Sequence, residues 1–274
     1  MNTTTLNFSN LSTSKSNSSI RLDTYAYAPS SAATFAKANQ LIAALSDEQW
    51  LNWQVNLEPV DLARGQILYE CAGAVKHIYF PTTAIVSLMC GSMEGGSYEI
   101  ALVGNDGAVG ISTFMGEDTV AHSAIVQSEG LGFRLKASLM KSAFDQSKDV
   151  QLLMLRYTQS LIAQISQTAV SSRYHSIEQQ LSRRLLMGQD RLGTDELKLT
   201  QEMLGNLLGV RRETVTEAAT KLQDAGLIQY SRGRIIIKDR NGLERRCKEF
   251  YTSMRRELGA SKPAQYFSPT AANR

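Results

Sequence analysis

The stretch Thr200 to Gln223, T-Q-E-M-L-G-N-L-L-G-V-R-R-E-T-V-T-E-A-A-T-K-L-Q, limits what this chain can fold into more than any other. It predicts two short helices joined by a tight turn. Thr200 suits an N-cap, because its hydroxyl can accept from an unpaired first-turn amide. Glu202 adds negative charge at the positive end of the same helix. Leu204, Leu207 and Leu208 give that helix one apolar stripe. Gly209 supplies the left-handed backbone of a sharp turn. The second helix places Val215, Ala219 and Leu222 on one face and ends at Ala225-Gly226. Its other face crowds Arg211, Arg212, Glu213, Thr214, Thr216 and Glu217 into the first turns. A helix-turn-helix sets the start of its second helix in the major groove. There arginine bonds guanine through two atoms, and glutamate accepts from the cytosine amino group. A surface hairpin of helices with solvated charges gives the same two-helix pattern, so the next stretch matters.

Leu227 to Lys238, L-I-Q-Y-S-R-G-R-I-I-I-K, alternates and is β-branched at its end. Ser231-Arg232-Gly233-Arg234 reads as a turn in its middle. This predicts a β-hairpin wing with Arg232 and Arg234 at the tip, within reach of phosphates. A winged helix-turn-helix is a much narrower reading than a hairpin of helices.

The run L-G-V-R-R-E-T-V, followed by K-L-Q-D-A-G-L-I and a short wing, resembles the C-terminal domain of Crp/Fnr transcription regulators. The resemblance extends more weakly back to about residue 40. It implies that Arg212 and Glu213 contact base edges. The family position four residues after that glutamate, an arginine in cyclic-AMP-dependent members, is Glu217 here, so the target sequence does not carry over. Thr200 joins the expected DNA-facing set. The resemblance also implies RNA polymerase as a partner.

The 274 residues suffice for two domains with cores of their own. An apolar fraction of 43% and a charged fraction of 20% are those of a globular protein. No run approaches the length of a membrane span. The N-terminus lacks the basic region and apolar core of a secretory signal, so cytoplasm is expected. Net charge is only +3, but from Arg173 to Leu258 17 Lys and Arg stand against 12 Asp and Glu. A mildly basic C-terminal third suits a phosphate-binding surface. Cys71, Cys90 and Cys247 are far apart and lack metal-ligand spacing. They are expected as buried reduced thiols, unlike the cysteine cluster that holds an iron–sulfur centre in the Fnr branch.

Residues 1–34, rich in Ser, Thr and Asn, are expected as a disordered tail. Leu41, Ile42 and Leu45 form a helical stripe, Ser46-Asp47-Glu48-Gln49 starts a helix, and Trp50 and Trp53 pack it down. From Leu57 to Leu135, glycine-punctuated apolar runs predict short strands at 66–69, 77–80, 85–90, 97–103, 123–127 and 131–135. Such spacing points to an antiparallel roll or sandwich. The resemblance places a cyclic-nucleotide-binding β-roll here. In nucleotide-binding members a Gly-Glu pair meets the ribose, and an Arg-Ser pair about ten residues later holds the cyclic phosphate. Gly110 keeps its place, but Ile111 stands where the Glu would be, and His122-Ser123 stands for Arg-Ser. Isoleucine cannot accept a ribose hydrogen bond, and neutral histidine lacks the charge and forked donors of arginine. Cyclic AMP in the usual mode is not expected. Gly110, His122 and Ser123 remain the candidate ligand residues, for an effector the sequence does not identify. A protonated His122 would make that site pH-sensitive. His77 is expected as a packed strand residue rather than a haem ligand.

Leu139 to Phe144 predicts a short helix closing the roll. Val150 to Ser171 predicts a long helix in which Leu155, Ile162, Ile165 and Ala169 form a dimer seam, with Thr158 as a polar member. Ser176 to Gln179 fits a capping box, and Ile177, Leu181 and Leu185 form the core face of the next helix. Gly193-Thr194-Asp195 reads as a turn, and Leu197 and Leu199 as a short strand. Asn241-Gly242 is expected to turn the chain into a last helix, Leu243 to Leu258, whose Arg245, Arg246, Arg255 and Arg256 either reach phosphates or face solvent.

The expected fold is α+β: a tail (1–34), a cyclic-nucleotide-binding-like antiparallel β-roll of jelly-roll type (35–148), a dimerisation helix (149–174), a winged helix-turn-helix (175–258) and a loose C-terminal tail (259–274). The expected function is a homodimeric, sequence-specific regulator on a two-fold site in double-stranded DNA. The alternative is a regulator whose roll binds another small molecule and gates DNA binding. No nucleophile–base pair, metal motif or phosphate loop suggests an enzyme. No catalytic residue, metal, cofactor or membrane contact is expected.

Overall fold

The glycine-punctuated middle of the chain forms two antiparallel sheets packed face to face. The computed structural model describes residues 34–91, 96–116 and 119–247. The expected tail and the end of the last expected helix, with Arg255 and Arg256, lie outside these residues.

In chain order the elements are α1 (Gln40–Ala43), α2 (Asp47–Gln54), β1 (Glu58–Leu62), β2 (Ile67–Tyr69), β3 (His77–Pro81), β4 (Ile85–Gly91) and β5 (Ser97–Val103). Then come α3 (Ser112–Met115), β6 (Ser123–Ser128), β7 (Gly130–Lys136), α4 (Ala137–Gln146) and α5 (Lys148–Tyr174). The C-terminal part adds α6 (Ile177–Leu192), β8 (Glu196–Lys198), α7 (Gln201–Leu208), α8 (Arg212–Asp224), β9 (Ile228–Ser231), β10 (Arg234–Ile237) and α9 (Arg240–Cys247).

One sheet of the roll has the order β1-β7-β3 and the other β2-β6-β4-β5. Strand β1, Glu-Pro-Val-Asp-Leu, carries no clear apolar alternation and was not expected as a strand. It survives at a sheet edge, where the missing amide of Pro59 does no harm. The continuous apolar run of β4 has a direct cause, since the strand is covered on both faces. Val86 and Leu88 face the roll interior, with Ala101, Val103, Ala124 and Val126. Ile85 and Met89 face outward into a second core. A register shift between β4 and β5 pairs Leu88 with Ala101 but Met89 with Glu99, leaving Ile100 as the extra residue. The bulge therefore turns Glu99 to the outward face.

Helices α1 and α2 close the other side of the roll. Ser46 caps α2 by accepting from the Gln49 amide, and Trp50 and Trp53 are buried as expected. The Asn39 side chain is fully enclosed, accepting from the amides of Leu41 and Ile42 and donating to Pro81 O at 2.9 Å and Gly107 O at 2.8 Å. One amide thus satisfies a helix start and ties it to two roll segments.

The long helix α5, 27 residues, spans about 40 Å. Its inner face, including Met154, Tyr157, Leu161 and Gln164, packs on the roll. Its outer face leaves Leu152, Leu155, Ile162 and Val170 exposed. Of the expected seam, Leu155, Ile162 and Ala169 lie on this exposed face. Thr158 and Ile165 do not. Thr158 is buried and donates to Met154 O, and Ile165 packs toward the roll. The helix carries two apolar stripes, and the sequence pattern merged them.

All three cysteines are free, but only Cys247 is buried, where desolvation pushes its thiol up to about 12. Cys71 is exposed in the turn after β2, and Cys90 is half-buried. This corrects the expectation of three buried thiols. Among the described residues no helix is long and apolar enough to cross a membrane.

Candidate nucleic-acid interface

Helix α6 begins with the expected capping box: Ser176 accepts from the Gln179 amide, and the Gln179 side chain accepts from the Ser176 amide. It ends at Gly193, φ +65°. Leu181, Leu185 and Leu186 on α6 form one core with Leu204, Leu207, Val215, Ala219, Leu222, Ile235 and Leu243. The apolar stripes expected on α7 and α8 therefore meet each other. Thr200 caps α7, accepting from the Met203 amide at 3.2 Å. Gly209 ends α7 at φ +65°, and its Cα faces the Tyr98 ring of β5. Helix α8 starts three residues later at Arg212. Its partner helix is thus too close in sequence for anything but a tight helix-turn-helix.

On α8 the inner residues are Val215, Ala218, Ala219 and Leu222. Arg211, at the N-cap position, and Arg212, Glu213 and Glu217 are exposed; Thr214 and Thr216 are half-buried. The Arg212 Nε donates to the Gln201 side chain on α7 at 3.3 Å. The Thr216 hydroxyl donates back to Arg212 O at 3.0 Å. These residues occupy the first turns of α8, at its positive end.

Strands β8, β10 and β9 make the wing sheet. Its tip is Arg232-Gly233, both at positive φ (+47° and +79°). A Cβ on Gly233 would stand 3.1 Å from the Thr200 methyl, so the wing tip sits beside the start of α7. Arg232 is exposed at this tip. Arg234 lies one step back, with Nη1 3.3 Å from Glu196 on β8 in an exposed ion pair. Thr200, Arg232, Arg211, Arg212 and Glu213, expected to act together, all belong to α7, α8 and the wing.

The basic excess of this region is only partly on its surface. Arg183, Arg184 and Arg191 on α6 are buried. Arg184 Nε stands 2.6 Å from Glu99 of β5, with side chains 5% and 8% exposed. Its N–H is off line for a directed bond, so this contact is an ion pair. The same guanidinium donates to Gln127, and Ser87 donates to Glu99. Arg245 and Arg246, both exposed, pair with Asp239 and Glu178 on the surface, contacts that neither alternative for α9 included. Asn241 and Gly242 lie inside the first turn of α9 rather than before it. Asp239 is the cap, accepting from the Gly242 amide at 2.8 Å, so the helix starts three residues earlier than the Asn-Gly pair suggested. The buried arginines were missed because their charge reads as surface on any sequence scale. The usable signal was an arginine pair, Arg183-Arg184, in the middle of an apolar helical stripe.

In the roll, Gly110 is buried at φ +101°, and a Cβ there would meet His77 O at 2.9 Å. His122 is half-buried, its Nε2 3.0 Å from the Tyr69 hydroxyl. Burial holds the His122 ring below its ordinary pKa and raises that of Tyr69. The Ser123 hydroxyl accepts from the Cys71 amide at 3.1 Å. Ile111 packs among apolar neighbours of both roll clusters. His77 is half-buried in β3, as expected. Among the described residues no cluster of His, Cys, Asp and Glu has the make-up of a metal site.

An antiparallel roll joined by a long helix to a winged helix-turn-helix is the architecture found here. The helix-turn-helix has a named family, since residues 179–246 match the Crp-like helix-turn-helix domain. The chain is 21% identical over 199 residues to the CRP-like cAMP-activated global transcriptional regulator of Mycobacterium tuberculosis, covering 70% of this chain and 89% of that protein. Its fold is similar to a crp/fnr-family structure from Eubacterium rectale (TM-score 0.60, 21% identity, 77% of this chain and 99% of that one). It is also similar to the c-di-GMP-responsive regulator CLP of Xanthomonas campestris (TM-score 0.57, 13% identity, 70% and 99%). The C-terminal part of the chain thus carries a Crp-like helix-turn-helix domain, and the chain as a whole is similar in sequence and fold to transcription regulators of the Crp/Fnr type.

Proposed function

We propose that this chain acts in the cytoplasm as a homodimer on a two-fold DNA site, without control by cyclic AMP in the usual mode. Residues 35–148 serve as the roll, 149–174 as the dimerisation helix and 175–258 as the DNA-binding domain. Arg212 and Glu213 read base edges, and Arg211, Thr214, Thr216 and Glu217 complete the groove contacts. Thr200, Arg232 and Arg234 hold the backbone. RNA polymerase is the expected protein partner.

The observation that carries this reading is the cluster of exposed Arg211, Arg212 and Glu213 at the start of α8, with Arg212 bonded to Gln201 at the start of α7 and the wing tip beside Thr200 there. The exposed stripe Leu152, Leu155 and Ile162 on α5 supports pairing with a second copy. Two copies would set two recognition helices roughly 34 Å apart, one DNA turn. Against cyclic AMP stand Ile111, turned into apolar packing, and His122 and Ser123, already engaged by Tyr69 and Cys71.

A second reading gives the roll another effector. It is favoured by the fold itself: one similar protein is cAMP-activated and another c-di-GMP-responsive. Selection from a random DNA pool, at fixed salt, with and without cyclic AMP, tests the proposal. A palindrome enriched equally in both arms is expected, and enrichment only with cyclic AMP would overturn it. Arg212→Ala should then cost about 1–3 kcal/mol at the selected site and relax one base preference. Full selectivity in that variant would remove Arg212 from the reading surface.

A further inference from the structure

We infer that Asp106, Arg191 and Gln164 form a coupling junction that fixes the angle at which the DNA-reading unit is held. Through it, a shift of the roll segment 104–110 becomes a change in the spacing of the two recognition helices. The spacing part rests on the dimeric regulator reading above.

Arg191 stands in the last turn of α6, its side chain 3% exposed. Its Nε donates to Asp106 Oδ1 at 3.1 Å, and Nη2 lies 2.7 Å from Asp106 Oδ2, a two-pronged grip. Nη2 also donates to the Gln164 side chain on α5 at 3.1 Å, and Nη1 to Met187 O within α6 at 3.1 Å. Gln164 in turn donates to Leu102 O on β5 at 3.0 Å. One guanidinium therefore ties together a roll loop, the long helix and the DNA-reading unit. The loop is cut to fit. A Cβ on Gly104 would fall 2.9 Å from three carbons of the Arg191 stem. A Cβ on Gly107 would fall 2.6 Å from the Tyr157 ring, whose hydroxyl donates to Ala108 O at 2.7 Å. The segment is clamped between α5 and α6, and it runs on directly to Gly110 and α3.

The position on α6 gives the junction leverage. The only covalent link between α5 and α6 is His175-Ser176, both in extended conformation. The junction lies at the opposite end of α6, about 22 Å from that link at 1.5 Å per residue. A 2 Å displacement of Arg191 about the link thus turns α6 by about 5°. Apolar contact and the Arg184–Glu99 pair hold the middle of α6 on the roll, while the junction holds its far end. A bidentate arginine–carboxylate fork is directional, and shielding from water removes the alternative partners.

The test uses the full-length chain and the double variant Asp106→Asn/Arg191→Met. It leaves no buried charge at the junction, keeps an acceptor for the Gly104 amide and preserves the stem volume. Amide hydrogen exchange is followed across the chain, and small-angle scattering reports the arrangement of the parts. Binding is measured to the selected half-sites with the spacer varied in single base pairs. The wild type should lose roughly tenfold in affinity one base pair from its optimum, because half-site spacing mirrors protein geometry. The variant should lose most of that preference, with single half-site affinity unchanged. Its exchange at 104–110 and at the end of α6 should rise about tenfold, with the core of α7 and α8 still protected. Arg191→Lys, which keeps the charge but not the fork, should behave alike. Unchanged exchange and an unchanged spacing preference in both variants would overturn the inference. If the wild type selects no DNA, the regulator reading falls. The junction is then judged by exchange and scattering alone, and wild-type behaviour of the variants in both would refute it.

Discussion

Replacing Glu99 by Gln isolates the cost of one buried charge between the roll and α6. The Glu99 carboxylate faces Arg184 at 2.6 Å, and both side chains are more than nine-tenths buried, so solvent does not dilute the effect. Loss of one partner from a buried pair costs about 3–5 kcal/mol, because the other charge stays behind without compensation. The amide of Gln still offers Ser87 and the guanidinium a carbonyl oxygen, so about 3 kcal/mol is expected, the lower end of that range. For a chain of this size that lowers the melting temperature by about 6–12 °C. Arg184→Met should cost a similar amount, since Glu99 and Gln127 would then lose their donor. The double variant Glu99→Gln/Arg184→Met should be no less stable than the worse single, a coupling of about 3 kcal/mol. Urea titration of the full chain followed by tryptophan fluorescence and circular dichroism reads all four corners of the cycle. Additive losses, or less than about 1 kcal/mol for Glu99→Gln, would refute the assignment of this pair as a coupled buried contact.

Gly209→Ala should destabilise by about 1–2 kcal/mol, since alanine must take the left-handed backbone at φ +65°. Its methyl would also press on the Tyr98 ring, so a loss of less than half that amount in thermal melting would argue against the tight turn. Arg232→Ala should leave stability unchanged and reduce the salt slope of DNA binding by about one. Arg234→Ala should do less because Glu196 shares that guanidinium, so a larger effect for Arg234 would invert the picture of the wing tip. The folded-state pKa of His122 is lowered by burial, so the unfolded chain binds its proton more readily. Its contribution is complete above the ordinary histidine value of about 6.5 and is lost as pH falls through and below it. His122→Gln should therefore flatten the fall in melting temperature between about pH 7 and 5; an unchanged or steeper slope would contradict this.

The helix-turn-helix was readable because each of its rules is local. Thr200 caps, Gly209 and Gly226 stop, and Leu204, Val215 and Leu222 meet at helical spacing, all within one short window. The roll was readable from its glycine punctuation, save β1, whose Pro59 and charges hide an edge strand. What resisted reading depends on partners distant in sequence. Strict alternation places Glu99 on the same face as Ala101 and Val103, yet a bulge turns it outward to Arg184. The seam residues Thr158 and Ile165 were drawn into one stripe with Leu155 because both faces of α5 are apolar, one toward the roll and one outward. Arg191 could not be told from a phosphate-binding arginine without knowing that Asp106 waits beneath it.

The outward face of β4 and β5 has one more implication. Ile85, Met89 and Leu102 belong to the same apolar cluster as the helices of the DNA-reading unit. The unit is therefore not a self-contained module. Cut away at His175 and grafted onto another sensor, it would present bare leucines and buried arginines to water. A chimaera made at that boundary should aggregate unless the host strand supplies the matching carboxylate and apolar face. For this protein the unit of exchange is the helix-turn-helix together with the sheet it rests on.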